Sequence, residues 1–130
     1  MINQKRRIRK MAKVLLVDDD EDMLAMSARW LEKAGYEVIK ETSGQGALAA
    51  LENEGADIVL LDYAMPGMTG SETLKEIRAN EKLSQVPVVM RTGMDDKEIA
   101  DEVEALHPQK ILPKSEGKAV LLAVVAEILG

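Results

Sequence analysis

At 130 residues, with a formal charge of −6 and ordinary apolar content, the chain can bury one sizeable core and is expected to have neither disorder nor a membrane span. Aromatic side chains are confined to Trp30, Tyr36 and Tyr63, so the core has to be aliphatic; the absence of cysteine excludes disulfides and thiolate metal sites and makes a reducing cytoplasm the natural setting. The charge is uneven: Lys5, Arg6, Arg7, Arg9 and Lys10 stand together without an acid, and the remaining chain is acidic enough to be a poor general binder of nucleic acid.

Residues 1–11 read as a flexible basic extension that lacks the apolar stretch of a secretory signal, and 12–130 as one domain. Strand and helix patterns then alternate. Lys13–Asp18 is a predicted strand, and Glu21–Ala34 a helix stopped by Gly35. Glu37–Glu41 is a short strand, and Ser43 can cap a helix from Gly46 to Asn53. Ile58–Leu61 is apolar at every position, as a strand buried on both faces should be. Ser71–Asn80 is a predicted helix, Val86–Thr92 a strand, Asp96–Leu106 a helix, Lys110–Leu112 a strand and Lys118–Leu129 a helix. Five strand–helix units with short connections predict a five-stranded parallel α/β sheet with helices on both faces.

The last helix is apolar all round from Ala119 to Ala126 and too short to span a bilayer. Two readings are open for it: deep packing with scattered exposed alkyl groups, or an interaction face for a dimer or an output partner.

Two apolar runs end in carboxylates. Val14–Val17 is followed by Asp18, Asp19 and Asp20, and Ile58–Leu61 by Asp62. Open α/β sheets place their ligands at the carboxyl ends of strands, so the two ends suggest one shared acidic pocket and hence a divalent cation. Asp20, Glu21 and Asp22 also suit the start of the first helix. After Asp62 comes the loop Asp-x-x-Met-Pro-Gly-Met-x-Gly, ending at Gly70. Thr92-Gly93 closes the fourth strand and Lys114 follows the fifth. Gaps of 43, 30 and 22 residues separate Asp19, Asp62, Thr92 and Lys114.

In these residues the chain, from about Lys13 to Leu129, resembles the receiver domains of response regulators, the phosphorylatable modules of two-component signalling. The resemblance implies a flavodoxin-like doubly wound sheet of order 2-1-3-4-5 flanked by five helices. It implies that Asp62 takes a phosphoryl group from a sensor histidine kinase or a histidine phosphotransfer protein. Mg²⁺ would be held by Asp19 and Asp62, by Asp18 through water, and by the backbone carbonyl of Ala64. Lys114 would meet the carboxylate or phosphate as a point charge, and Thr92 would offer its hydroxyl. Ile111 departs from the family, standing where an aromatic is common, and Ala64 and Met94 occupy positions that tune phosphate lifetime. The switch would act around the fourth helix and the last strand and helix, with no enzymatic turnover beyond the domain's own phosphoryl transfer and dephosphorylation.

Competing readings use the same residues. A Mg²⁺-dependent aspartate-nucleophile phosphohydrolase would share the acids, but Asp22 stands where such enzymes carry Thr or Val. A pseudo-receiver that only binds a partner fits poorly with the complete acid, Thr and Lys set. Gly44-Gln45-Gly46-Ala47-Leu48-Ala49 imitates a dinucleotide fingerprint, but it follows the second strand. His107, before Pro108, reads as a loop residue, and Arg91 as a side chain turned away from Thr92 with its stem packed on a helix.

Overall fold

The computed structural model describes residues 11–93 and 100–130. Its elements are β1 (Lys13–Val17), α1 (Glu21–Lys33), β2 (Glu37–Glu41), α2 (Gly44–Asn53), β3 (Ile58–Asp62), α3 (Gly70–Ala79), β4 (Val88–Thr92), α4 (Ala100–Ala105), β5 (Lys110–Pro113) and α5 (Gly117–Leu129). The strands form one parallel sheet in the order β2-β1-β3-β4-β5. Residues 1–10 of the predicted basic extension, Met94 and the first residues of the predicted fourth helix lie outside the described residues.

Alternation along the strands divides the core in two. Leu15, Val17, Val59, Leu61 and Met90 face α2, α3 and α4, meeting Ala47, Leu51, Leu74, Ile77 and Val103. Val14, Leu16, Ile58, Leu60, Val89 and Leu112 face the other way, onto Leu24, Ala28 and Leu31 of α1 and Leu121, Val124 and Val125 of α5. β3 is buried at all five positions because it is central and covered on both sides. Each such aliphatic side chain contributes roughly 1.5–3 kcal/mol relative to exposure, so β1, β3 and β4 anchor the sheet. β2, at the edge, leaves Glu37 and Lys40 in solvent.

Caps explain where the helices begin. Asp20 accepts from the backbone N–H groups of Asp22 (3.0 Å) and Met23 (3.1 Å) at the start of α1. Ser43 accepts from Gly46, so α2 starts at Gly44, two residues earlier than predicted. Thr69 and Glu72 form a reciprocal capping box on α3. A side chain on Gly44 would meet Thr73 Oγ1 and the Met68 side chain, so close packing against α3 accounts for the glycine at the head of the dinucleotide-like motif.

α5 packs one side into the core. Leu121, Val124 and Val125 are buried, and the residues it exposes are Ala119, Ala123 and Ala126 beside Lys118 and Glu127. Among the described residues the large exposed hydrophobics are Met11 and Met26, neither of them on α5. No helix of the described residues is long and apolar enough to cross a membrane. His107 lies in the loop after α4 with φ 56°, and its carbonyl accepts from Arg78 Nη2 at 3.0 Å.

Candidate functional site

The strand order reverses between β1 and β3, one leading outward to β2 and the other toward β4 and β5. Carboxyl ends at such a switch point frame a crevice, because the flanking connections depart on opposite faces. Asp18 and Asp19 follow β1 there, and Asp62 is the last residue of β3. Carboxylate oxygens of Asp18, Asp19 and Asp62 lie within 4.8 Å of one another. Asp18 is fully buried, Asp62 is 2% exposed and Asp19 opens to solvent. Asp18 Oδ1 accepts the Asp20 backbone N–H at 2.9 Å, which holds the acid turn against the start of α1.

Lys114 enters from β5. A short 3₁₀ turn, Lys114–Glu116, follows Pro113 and carries the ammonium across the strand ends. Nζ lies 3.0 Å from Asp18 Oδ2 and 3.1 Å from Asp62 Oδ2. Lys114 therefore bridges both buried acids, whereas the sequence suggested a partnership with Asp62 alone. Burial opposes its charge, but the hydrogen bonds and charges of Asp18 and Asp62 hold the ammonium above the usual lysine range.

Asp62 shows what the crowding costs. Burial and then the charge of Asp18 push its carboxyl up to about 7, against the opposing pull of Lys114. A pocket with three convergent carboxylates and one bridging ammonium is short of positive charge. Its donor set, all carboxylate oxygen, suits a hard divalent cation such as Mg²⁺.

The loop after Asp62 is drawn tight. Tyr63 N–H donates to the Arg91 carbonyl at 2.8 Å, and Gly70 N–H donates to the Tyr63 carbonyl at 2.9 Å. A Cβ on Gly70 would collide with the Asp62 carbonyl oxygen and lie 2.7 Å from Tyr63 Cα. These neighbours are backbone and cannot rotate away. Gly70→Ala should therefore cost about 2–3 kcal/mol in urea unfolding, since the strain can be relieved only by moving the acceptor loop. A loss below about 0.5 kcal/mol would show that this loop yields freely.

The other predicted residues stand nearby. Ala64 is exposed on the loop two residues past Asp62. Thr92 ends β4 half-buried, one residue beyond Arg91, which registers against Asp62. No described hydrogen bond joins the Thr92 hydroxyl to Asp62. Ile111 packs half-buried against the core face that carries Met90. The pocket also has a charged neighbour that the sequence presented as a packing residue. Arg91 is 3% exposed, with Nη1 3.4 Å from Ser27 Oγ of α1. The signal that could have found it is parity, since Arg91 follows Val89 by two just as Asp62 follows Leu60.

A family model described as "Response regulator receiver domain" matches residues 14–126. The sensory transduction protein RegX3 of Mycobacterium tuberculosis is 44% identical over 87 residues, covering 67% of this chain and 37% of that protein. The transcriptional regulatory protein CpxR homolog of Haemophilus influenzae is 42% identical over 121 residues, covering 92% of this chain and 51% of that one. The chain thus spans between about a third and a half of these relatives. The solved structure of the Vibrio cholerae chemotaxis protein CheY4 superposes with a TM-score of 0.85 at 33% identity, covering 92% of this chain and 99% of that one. The sheet order, the acid pocket at its switch point and the match across residues 14–126 place this chain among the response regulator receiver domains of two-component systems.

Proposed function

We propose that Asp62 accepts a phosphoryl group from a phosphohistidine of a sensor kinase or phosphotransfer protein, in a reaction that requires Mg²⁺. The observation that carries this reading is the convergence of Asp18, Asp19 and Asp62 within 4.8 Å, with Lys114 Nζ 3.1 Å from the acceptor carboxylate. An Asp62 oxygen forms the new bond to phosphorus while the bond from phosphorus to the imidazole nitrogen breaks, and the departing electron pair stays on that nitrogen. The carboxylate has to be ionised to attack, and the charges around it govern how much of it is.

Asp19 and Asp62 would hold Mg²⁺ directly, Asp18 through water, and Ala64 through its backbone carbonyl. The bound ion supplies positive charge to the acids and to the phosphoryl oxygens. Lys114 stabilises the charge that develops on the transferred group, and the Thr92 hydroxyl takes one of its oxygens. Once formed, the phospho-aspartate biases an equilibrium between two surfaces around α4, β5 and α5. The output then passes to a partner or to further segments of a larger regulator.

Intact mass after incubation with acetyl phosphate and Mg²⁺ tests this reading. The parent should gain one phosphoryl group, and Asp62→Ala or omission of Mg²⁺ should abolish the gain. Steady phosphate release without a trapped adduct would instead favour a phosphohydrolase. Absence of both would leave a binding module.

A further inference from the structure

Arg91 is the buried charge that the phosphoryl-transfer scheme does not use. Strand parity places it on the α1 and α5 side of the sheet, two residues after Val89. On the same side, Asp18 follows Leu16 by two, Asp62 follows Leu60 and Lys114 follows Leu112. Parallel register pairs Arg91 directly with Asp62. The guanidinium is thus buried, 3% exposed, on the side of the sheet that carries the acids, one strand over from Asp62.

Its hydrogen bonding is incomplete. One contact reaches Ser27 Oγ at 3.4 Å, and the buried Nε has no hydrogen-bond partner. A buried arginine with so few bonds is destabilising unless a compensating negative charge lies close. Burial works against its charge, and Asp18 followed by Asp62 favour it. Within the pocket Asp18 Oδ2 meets only the Lys114 ammonium and accepts no well-aligned hydrogen bond. Three carboxylates are therefore only partly offset by two fixed cations, Lys114 in contact with two of them and Arg91 buried farther off.

We propose that Arg91 is a positioning residue that acts as a built-in counter-cation of the acid pocket, and that its fixed charge weakens the pocket's hold on a divalent cation. This rests on the Mg²⁺ reading of the site. A buried like charge repels an incoming cation more than a surface charge at the same distance does, because less solvent screens it. The same charge relieves repulsion among the acids when the ion is absent. The result is a receiver whose loading follows the Mg²⁺ concentration instead of staying saturated.

Calorimetric titration of the whole chain with MgCl₂ at pH 8 tests this, with folding of each variant checked by circular dichroism. Arg91→Met and Arg91→Gln, one apolar and one polar, should each bind Mg²⁺ about tenfold more tightly than the parent. Arg91→Lys keeps the charge and should stay within about threefold of the parent. Ser27→Ala removes the hydrogen bond but no charge, and should leave the Kd unchanged. Parent-like or weaker binding by the neutral variants would overturn the counter-cation alone. So would an equal tightening in Arg91→Lys or Ser27→Ala, which would point to packing. No Mg²⁺ binding by the parent or any variant would overturn the metal reading and this proposal together.

Discussion

Asp62→Asn should make the metal-free protein more stable at pH 8, by about 2 kcal/mol, although it removes the proposed phosphoryl acceptor. The folded carboxyl sits at about 7 and its ordinary value is 3.8. Between those limits the folded state keeps a proton that the unfolded state has lost. Asp62 therefore lowers stability progressively as pH rises from about 4 to about 7, and above that its full cost is present. Asparagine keeps the shape and removes the charge. The pull of Lys114 is already contained in that raised value, and solvent at the open mouth of the pocket screens the charge, so the gain is smaller than the shift alone implies. Urea unfolding in EDTA at pH 5 and pH 8 checks the sign, with the parent-to-variant difference isolating Asp62 from other acids. The variant should gain most at pH 8 and little at pH 5. Saturating Mg²⁺ should reverse the order, because it rewards the ionised carboxylate. A variant less stable than the parent at pH 8 in EDTA would show that burial and Asp18 do not burden this group.

Lys114→Met should act in the opposite direction. The ammonium touches Asp18 Oδ2 and Asp62 Oδ2 together, and both acids are buried. Removing it leaves two convergent carboxylates without their shared cation, at a cost of about 3 kcal/mol in metal-free protein at pH 8. The loss should shrink at pH 5, where Asp62 can take up a proton and end the repulsion. Mg²⁺ should recover much of the stability but not the chemistry. Phosphoryl uptake from acetyl phosphate should still fall about a hundredfold, since Lys114 is the described cation in salt-bridge contact with the acceptor carboxylate. Equal losses at both pH values would mean that Lys114 acts mainly through the packing of its stem.

The two substitutions separate features with different legibility. That Asp62 is an acceptor candidate can be read locally: an aliphatic run ends in a carboxylate and a glycine-rich loop follows. Helix starts are nearly as legible, because Asp20, Ser43 and Thr69 cap through their own side chains. Boundaries shifted by a residue or two. α2 reaches back to Gly44 because Ser43 caps it through the Gly46 N–H, and β4 starts at Val88, after Pro87. The apolar sequence of α5 suggested an unpartnered face as readily as a buried one. Only its rotation against α1 and the sheet shows that the outward positions are filled by alanine.

The five-stranded parallel architecture and the set of acids, threonine and lysine at the strand ends are legible from the linear chain. Periodicity, caps and strand termini act over a few residues, so a linear reading can recover them. That Lys114 spans both Asp18 and Asp62, and that Arg91 is buried in register with Asp62, emerges only when the strands are assembled. Those relations depend on the register of β1, β3, β4 and β5 and on side-chain burial. Neither is encoded within any one segment; both arise where segments distant in sequence meet in a medium that screens charge poorly.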